Sequence, residues 1–286
     1  MQIFTDRAAN LTTEEERSLD LSVVPLYIQF PEEEVESGSL EPDDLFERLK
    51  AMKPTIPTTA LPSIGQLKEM YQKALEGGDG ILSIHLSSGL SGTFDAAQMA
   101  ARELRDTVVT PFDSMTLSGG QRFHVFAAAM AAKAGWALET ILARLEHMRE
   151  EIEVIYTLDT LEYLEHGGRI GRVQSLVSSL LNIKPIIHVD KSDGQYSTVG
   201  KARTLPRAVG MIVDHLHNLY GETPVWITVL HGQLEQEARR LQSGLENSLE
   251  VARTEILRVT PVLGVHTGPG IVGVAAVPMA LFSDLM

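Results

Sequence analysis

The stretch ILSIHLSSGLSGTFDAAQMAA, residues 81–101, decides the fold of the first part of the chain. Its apolar start, residues 81–86, predicts a buried strand, and the run from Phe94 predicts a helix. Between them, residues 87–93 contain four hydroxyl groups, two glycines and no charge. Backbone N–H groups at the start of a helix lack partners within the helix and lie at the positive end of its dipole. This strand-to-helix turn is therefore a candidate anion site.

The same turn has other interpretations. Ser91 or Thr93 alone would be an ordinary helix N-cap. Ser91 also stands in a near match to the nucleophile elbow Gly-x-Ser-x-Gly, with Thr93 in place of the last glycine. Asp113 and His266 follow Ser91 in the chain order of an α/β-hydrolase triad. The alternative to a static anion pocket is therefore a lipid or ester hydrolase that uses these three residues, and a small-anion sensor is a third candidate.

Length and composition predict a globular protein with one large domain or two of ordinary size, since the chain has 286 residues and 44% hydrophobic content. Cysteine is absent, so neither disulfides nor thiolate metal sites are expected. The histidines show no metal-ligand spacing, because His215 and His217 cannot share one helix face. Neither a phosphate loop nor a dinucleotide-binding motif occurs. The sequence therefore predicts no metal and no cofactor.

The chain is expected to be cytoplasmic and free of stable membrane insertion. Residues 2–5 predict a strand and lack the basic and apolar segments of a signal peptide. Residues 259–283 carry no formal charge, but prolines, glycines and His266 interrupt them, which argues against a membrane span. Transient contact with a membrane surface is compatible with this pattern.

The charge distribution argues against nucleic acid as a partner, because a formal net charge of −14 repels phosphate backbones. Two segments nevertheless carry bases and no acid: Arg169, Arg172 and Lys184 in residues 167–189, and Lys201, Arg203 and Arg207 in residues 194–213. Such segments favour an anionic ligand or an acidic partner, and a chance gap in surface charge is the alternative.

Strand and helix signals alternate through residues 1–151 and predict an α/β domain with a largely parallel sheet. The predicted strands are residues 2–6, 22–29, 80–86 and 107–112. Residues 123–134 are apolar nearly all round and predict a buried helix. Residues 53–63 contain three prolines and predict a stiff loop that carries Thr58 and Thr59 towards a helix capped by Ser63 and Gln66.

Residues 152–286 predict a second α/β domain, with a mixed sheet and helices. Residues 185–190 and 195–200 predict a hairpin. Three further strands are predicted at residues 225–230, 250–256 and 271–277, and helices at 160–166, 173–181, 204–220 and 234–249. Gly167 is expected to end its helix in a left-handed conformation. Residues 264–270 predict a glycine-rich loop that holds His266.

Taken together, these motifs resemble the DegV family. They occur in the family's order over essentially the whole chain: residues 59–63 (TALPS), 87–93 (SSGLSGT), 113–114 (DS), 161–171 (LEYLEHGGRIG), 181–186 (LNIKPI) and 266–270 (HTGPG). Each motif is weak alone, and their combination at these separations is specific. Arg7 and Ala60 stand where the family usually has serine.

The resemblance implies a two-domain α/β protein that holds one long-chain fatty acid, with the carboxylate at the domain junction and the tail buried. Related proteins are the binding subunit of bacterial fatty acid kinase. They present the carboxylate to a separate ATP-dependent kinase, which converts it to an acyl phosphate. The resemblance therefore implies a non-catalytic lipid carrier with a kinase partner and no cofactor besides its fatty acid ligand.

The resemblance also implies roles for individual residues. Thr59 and Ser91, together with Gly92 in the same turn, are expected to bind the fatty acid carboxylate, and His266 is expected to lie beside it. A second set of residues is expected at the head-group site or on the partner-facing surface: Ser88, Arg169 and Thr267, together with Arg172 and Arg203 of the two basic segments, which could dock an acidic kinase.

Overall fold

The computed structural model describes residues 1–78, 80–104, 109–174 and 183–285. The described strands are β1 (Gln2–Asp6), β2 (Leu21–Val24), β3 (Tyr27–Gln29), β4 (Glu34–Glu36), β5 (Thr58–Ala60), β6 (Ile81–His85), β7 (Val109–Asp113), β8 (Glu153–Leu158), β9 (Lys184–Val189), β10 (Tyr196–Ala202), β11 (Val225–His231), β12 (Val251–Arg258) and β13 (Ile271–Pro278). The described α-helices are α1 (Thr13–Ser18), α2 (Pro42–Ala51), α3 (Ile64–Leu75), α4 (Thr93–Glu103), α5 (Ser118–Lys133), α6 (Leu138–Glu151), α7 (Glu162–His166), α8 (Leu205–Tyr220), α9 (Glu235–Ser248) and α10 (Pro261–Thr267).

Some sequence predictions fall outside the described residues. These are residues 175–181 of the predicted helix 173–181, the first two residues of the predicted strand 107–112, and residues 181–182 of the LNIKPI motif.

The first sheet is a parallel layer with the strand order β2-β1-β6-β7. Its register places Phe4 of β1 between Ser22 of β2 and Ser83 of β6. Every residue of β6 is buried, as expected for a central strand of a sheet covered by helices. The predicted parallel sheet is confirmed, and it directs the carboxyl ends of its strands to one edge, where the turn at residues 87–93 follows β6.

The second sheet is mixed and has the strand order β10-β9-β8-β13-β11-β12. Only β11 and β12 run parallel among its described strand pairs, and β9 and β10 form the predicted hairpin. Gly194 has a φ of +66° in the turn of this hairpin, a conformation that favours glycine. The predicted mixed sheet of the second half is confirmed.

A small antiparallel sheet, β4-β3-β5, differs from the sequence prediction. The single strand predicted over residues 22–29 is divided between two sheets, because Pro25 separates β2 from β3 and lacks the N–H that a continuous ladder needs. The segment expected to be a stiff loop around Thr59 contains strand β5, in which Thr59 pairs with Ile28. Backbone pairing therefore fixes the position of Thr59.

Two local predictions were wrong. His266 lies in the last turn of α10 and not in a loop, because Pro261 occupies the first turn of a helix that continues to Thr267. Gly167 has an ordinary φ of −71°, and the left-handed residue after α7 is Gly168, with a φ of +67°.

Helix α5 joins the two sheets. It begins at Ser118, five residues before the predicted start, and its first turn approaches the second sheet so closely that a Cβ on Gly119 would lie 2.6 Å from the Cβ of Ala275. Farther along α5, the ring of Phe123 packs edge-on against Trp226 of β11, with the ring centroids 5.2 Å apart. One buried apolar cluster therefore runs from the first sheet through α5 to the second sheet. The domain boundary at residues 151/152, directly after α6, stays a prediction.

The described helices include none that is both long enough and apolar enough to cross a bilayer.

Candidate binding cavity between the two halves

A cavity lies where the carboxyl ends of β1 and β6 meet β5, α10 and the residues around α7 and β10. Its space for water-sized molecules is about 60 Å³. Five residues predicted for the site line it: Thr59, Ser91, Arg169, His266 and Thr267. The other lining side chains are mainly aliphatic. The structure thus brings together residues that lie more than 200 positions apart in the chain.

Thr59 and His266 form the central polar pair of this cavity. The Oγ1 atom of Thr59 lies 2.8 Å from Nε2 of His266. Burial, together with the positive charges of Arg169 and His166, lowers the pKa of His266 to about 4, so the imidazole is neutral at pH 7. The tautomer with its proton on Nε2 donates to Thr59, which leaves the threonine hydroxyl free to donate to a ligand.

Gly167 sets the position of the His266 ring. A Cβ on Gly167 would lie 2.2 Å from Nδ1 of His266, so this approach requires glycine. Nδ1 is buried and has no hydrogen-bond partner in the described part of the chain. An unprotonated Nδ1 is consistent with this setting, because an unpaired buried N–H would be costly. The sequence predicts Gly167 only as a helix terminator, and no local signal indicates this contact with the site.

Ser91 has both a capping contact and a place in the cavity wall. Its Oγ accepts a hydrogen bond from the backbone N–H of Thr93 and lies 2.9 Å from Oγ1 of the same residue. The N-cap residue of α4 is Gly92, whose backbone N–H has no hydrogen-bond partner within the described residues. Ser91 therefore keeps a hydroxyl at the cavity, next to a free amide at the positive end of a helix.

The turn that carries Ser91 is held by contacts on both sides. Ser87 donates a hydrogen bond to the carbonyl oxygen of Gly194, at a distance of 2.8 Å, in the hairpin of the second half. The carboxylate of Asp113 accepts hydrogen bonds from the backbone N–H groups of Ser88 and Met115. Ser87 and Asp113 thus position the turn, and of the four hydroxyl groups in residues 87–93 only that of Ser91 lines this cavity.

A polar outer cavity of about 290 Å³ adjoins the first at its mouth. It shares Ser91, Arg169 and Tyr196 with the first cavity and also includes Ser88 and Gly92. Arg169 donates hydrogen bonds to the carbonyl oxygens of Leu90 and Gly167, which hold its guanidinium between the two cavities.

An apolar inner cavity of about 30 Å³ also adjoins the first, between the start of α5 and strands β8 and β13. It shares Leu117, Tyr196, Leu263 and Thr267 with the first cavity. The hydroxyl of Thr267 donates to the carbonyl oxygen of Leu263 and is therefore used within α10. The three cavities are linked by shared lining residues, and their walls are polar at the mouth, mixed in the middle and apolar at the inner end. The sequence did not identify Tyr196, which lines all three.

The remaining predicted residues lie elsewhere. Arg172 forms ion pairs with Asp190 and Asp193, and Arg203 is exposed; neither lines any of these three cavities. Of the two residues that depart from the family pattern, Ala60 lines the first cavity, whereas Arg7 forms an ion pair with Glu16 and lies outside it.

The contacts of the three hydrolase candidates do not connect them. Ser91 is bonded to Thr93, His266 to Thr59, and Asp113 to backbone N–H groups. No hydrogen bond joins Ser91, Asp113 and His266 to one another in the part of the chain that the structure describes. A nucleophile and its base normally lie within hydrogen-bond reach, so the geometry does not favour the triad.

Fold and cavity together define an α/β protein with two main sheets and an amphipathic cavity where its halves meet. The chain belongs to the DegV family, whose family model, described as an uncharacterised protein of the DegV family, matches residues 1–279. A DegV domain-containing protein of Deinococcus radiodurans is 37% identical, with 91% of this chain and 90% of that protein covered.

Solved structures of relatives have the same fold. One, described as fatty acid binding of a DegV family protein from Thermus thermophilus, has a TM-score of 0.91 and 31% identity and covers 97% of this chain and 99% of its own. Another is described as DegV, a fatty acid binding protein from Bacillus subtilis. It has a TM-score of 0.86 and 30% identity, and the match covers 97% of this chain and 98% of that chain.

Proposed function

We propose that this protein binds a single long-chain fatty acid, with the carboxylate near Thr59 and Ser91 and the tail in the apolar inner cavity. The observation that carries the proposal is that three cavities linked by shared residues change from polar walls to apolar walls. The Thermus and Bacillus relatives, described as fatty acid binding, support it.

The polar end suits a carboxylate that leaves water. A carboxylate loses several kcal/mol of hydration unless donors replace the water molecules. The hydroxyls of Thr59 and Ser91 and the backbone N–H of Gly92 are such donors, and the dipole of α4 and the guanidinium of Arg169 add positive potential. His266 stays neutral and supports Thr59 from behind.

The apolar end suits an alkyl chain. Each methylene group removed from water contributes about 0.8 kcal/mol, so the tail supplies most of the affinity and the head group sets the orientation. In that orientation the carboxylate lies next to the polar mouth, beside Arg169.

The exposed mouth leads to the second part of the proposal. The protein presents the carboxylate to a separate ATP-dependent fatty acid kinase and performs no chemistry on it. The protein is proposed to be cytoplasmic, because a kinase that uses ATP would act there. His266 would be a weak general base at pH 7, because its pKa of about 4 lies well below that pH. The geometry therefore supports a carrier in preference to a hydrolase.

Mass spectrometry of lipid extracted from the purified protein tests this function. We expect one intact long-chain fatty acid per chain. Turnover of an acyl ester that disappears in Ser91→Ala would overturn the carrier proposal in favour of the hydrolase. Protein that neither contains nor takes up fatty acid would also overturn the carrier proposal, and would leave the small-anion sensor as a candidate.

A further inference from the structure

Glu153, His188 and His215 converge on the side of the second sheet that α8 covers. Nδ1 of His188 lies 2.9 Å and Nε2 of His215 lies 3.1 Å from the same oxygen, Oε1 of Glu153. One nitrogen or oxygen atom from each residue lies within 4.8 Å of those from the other two. The Glu153 side chain is 5% exposed, and the two histidine side chains are 26% and 27% exposed, so the cluster has a buried floor and an open side.

The sheet register explains why these three residues lie together and why they lie away from the cavity described above. His188 of β9 lies opposite Ile155 of β8, two residues from Glu153 on the same face of the strand. Val154 and Tyr156 point to the other face, where they pack in the apolar cluster around the inner cavity, whereas Ile155 packs with the cluster under α8. The cluster and the proposed fatty acid site therefore lie on opposite faces of one sheet.

The side chains form a donor set that suits a transition metal. Two imidazole nitrogens and one carboxylate oxygen are the ligands of many zinc sites in which a water molecule holds the fourth position. Zinc bonds of about 2.1 Å in a tetrahedron place ligand atoms about 3.4 Å apart. The two nitrogen–oxygen separations of 2.9 Å and 3.1 Å are only a few tenths of an ångström shorter than this. The rings lie at 81° to each other, with centroids 6.3 Å apart, and approach the carboxylate from different directions.

We propose that Glu153, His188 and His215 form a binding site for a divalent transition metal, with zinc as the best-matched ion. The metal links strands β8 and β9 to helix α8, since each element supplies one ligand. The open side leaves the fourth position to water.

One neighbouring charge opposes the metal. Nζ of Lys191 lies 3.9 Å from Oε2 of Glu153 and donates a hydrogen bond to the carbonyl oxygen of Glu150. The ammonium group faces the oxygen that the histidines do not contact, so it weakens the site without occupying it. Replacing it with a neutral side chain of similar length is expected to strengthen metal binding.

Titration of untagged, chelator-treated protein with zinc chloride, followed by calorimetry and thermal unfolding, tests the site. We expect one zinc ion per chain and a higher Tm with zinc. His188→Gln and His215→Gln should each weaken binding at least tenfold and abolish the Tm shift, and Lys191→Met should strengthen binding. His217→Gln is the matched control, because His217 lies on the same helix and contacts the carbonyl oxygen of Ser248 instead.

Circular dichroism establishes that the variants are folded. A cluster that is only hydrogen-bonded would bind no zinc stoichiometrically, or would bind it equally well in folded His188→Gln and His215→Gln. Either result overturns the proposal. Neither depends on fatty acid binding, so the metal site and the proposed function are tested separately.

Discussion

Thr59 and Ser91 each bring one hydroxyl group to the cavity, and in the proposed function each donates a hydrogen bond to the carboxylate of the fatty acid. A hydrogen bond to a charged group contributes about 1.5–3 kcal/mol. Thr59→Val and Ser91→Ala should therefore each weaken fatty acid binding about tenfold or more, with the fold retained. Titration with a fluorescent fatty acid measures the change.

Ser88→Ala is the control for this pair. Ser88 belongs to the same turn as Ser91, but it is exposed and lies at the outer mouth. Its replacement should leave fatty acid affinity near that of the unchanged protein. Unchanged affinity in both Thr59→Val and Ser91→Ala would contradict the head-group assignment.

The pKa of His266 predicts a pH dependence of stability. Its value of about 4 in the folded protein compares with 6.5 in the unfolded chain, because burial and the charges of Arg169 and His166 oppose protonation. Between these values the unfolded chain binds the extra proton, so the free energy of unfolding falls as pH falls from about 6.5 to 4.

Urea unfolding at several pH values in this window checks the effect. His266→Gln should show a shallower pH dependence than the unchanged protein. His124, whose pKa burial also lowers to about 4, is present in both proteins, so the difference isolates His266. Equal slopes in the two proteins would show that His266 protonates equally in the folded and unfolded states.

Gly167 and Gly168 are adjacent, yet their replacements should have different effects. Alanine at Gly167 fits the backbone but displaces the His266 ring, so Gly167→Ala should weaken fatty acid binding. Alanine at Gly168 meets no atom within 4 Å but must adopt a positive φ, which costs about 1 kcal/mol of stability and leaves affinity nearly unchanged. Ligand titration and urea unfolding of both variants separate the two effects, and an identical loss of affinity would refute the Gly167 contact.

Arg122 links three elements to α5 through buried ionic contacts. Its side chain is 2% exposed and contacts Glu15 of α1, Glu255 of β12 and the hydroxyl of Thr228 on β11. Arg122→Met leaves two carboxylates without their shared partner and should lower the free energy of unfolding by about 3 kcal/mol.

Urea unfolding provides the measurement, and Arg239→Met is the matched control. Arg239 forms an exposed ion pair with Glu235 one turn away in the same helix, and such pairs contribute less than about 1 kcal/mol. Equal losses in the free energy of unfolding of the two variants would show that the contacts of buried Arg122 stabilise the fold no more than an exposed ion pair does.

The main sheets were predictable because their strands carry strong local signals. A buried apolar run such as β6 can be predicted from a few consecutive residues, and so can the polar hairpin turn near Gly194. The small sheet was not predictable, because β5 has three residues and depends on pairing with Ile28, which lies far away in the chain. The helical position of His266 was hidden for a related reason, since its glycine-rich surroundings are typical of a loop.

The residues that line the candidate cavity were easier to predict from the sequence than the contacts between them. Thr59, Ser91 and His266 were identified through motifs, and the structure places all three in one cavity. The contact of Gly167 with His266, and the meeting of Glu153 with His188 and His215, depend on elements that only the tertiary fold brings together. Spacing rules that look for ligands on one helix cannot find them.

At the scale of the whole molecule, Arg172 of the first basic segment and Arg203 of the second differ in their ion pairing. Arg172 is neutralised by Asp190 and Asp193, whereas exposed Arg203 forms no ion pair with any described residue. If the proposed kinase docks through acidic groups on the second segment, Arg203→Glu should slow phosphorylation of the bound fatty acid roughly two- to fivefold.

A kinase assay at low and moderate salt measures this effect, which should shrink as salt rises. Arg239→Glu, on a helix outside both basic segments, is the charge-matched control. Phosphorylation that is equally fast in Arg203→Glu and in the unchanged protein would remove this surface from the docking proposal.

The small volume of the inner cavities has a kinetic consequence. A long acyl chain needs a pocket of about 300 Å³ or more, while the middle and inner cavities together leave much less space. If the protein binds a long-chain fatty acid as proposed, the walls of these cavities must part before the tail enters and again before it leaves. Residence time is then governed by how often the protein opens, and fatty acids of different affinity should dissociate at similar rates.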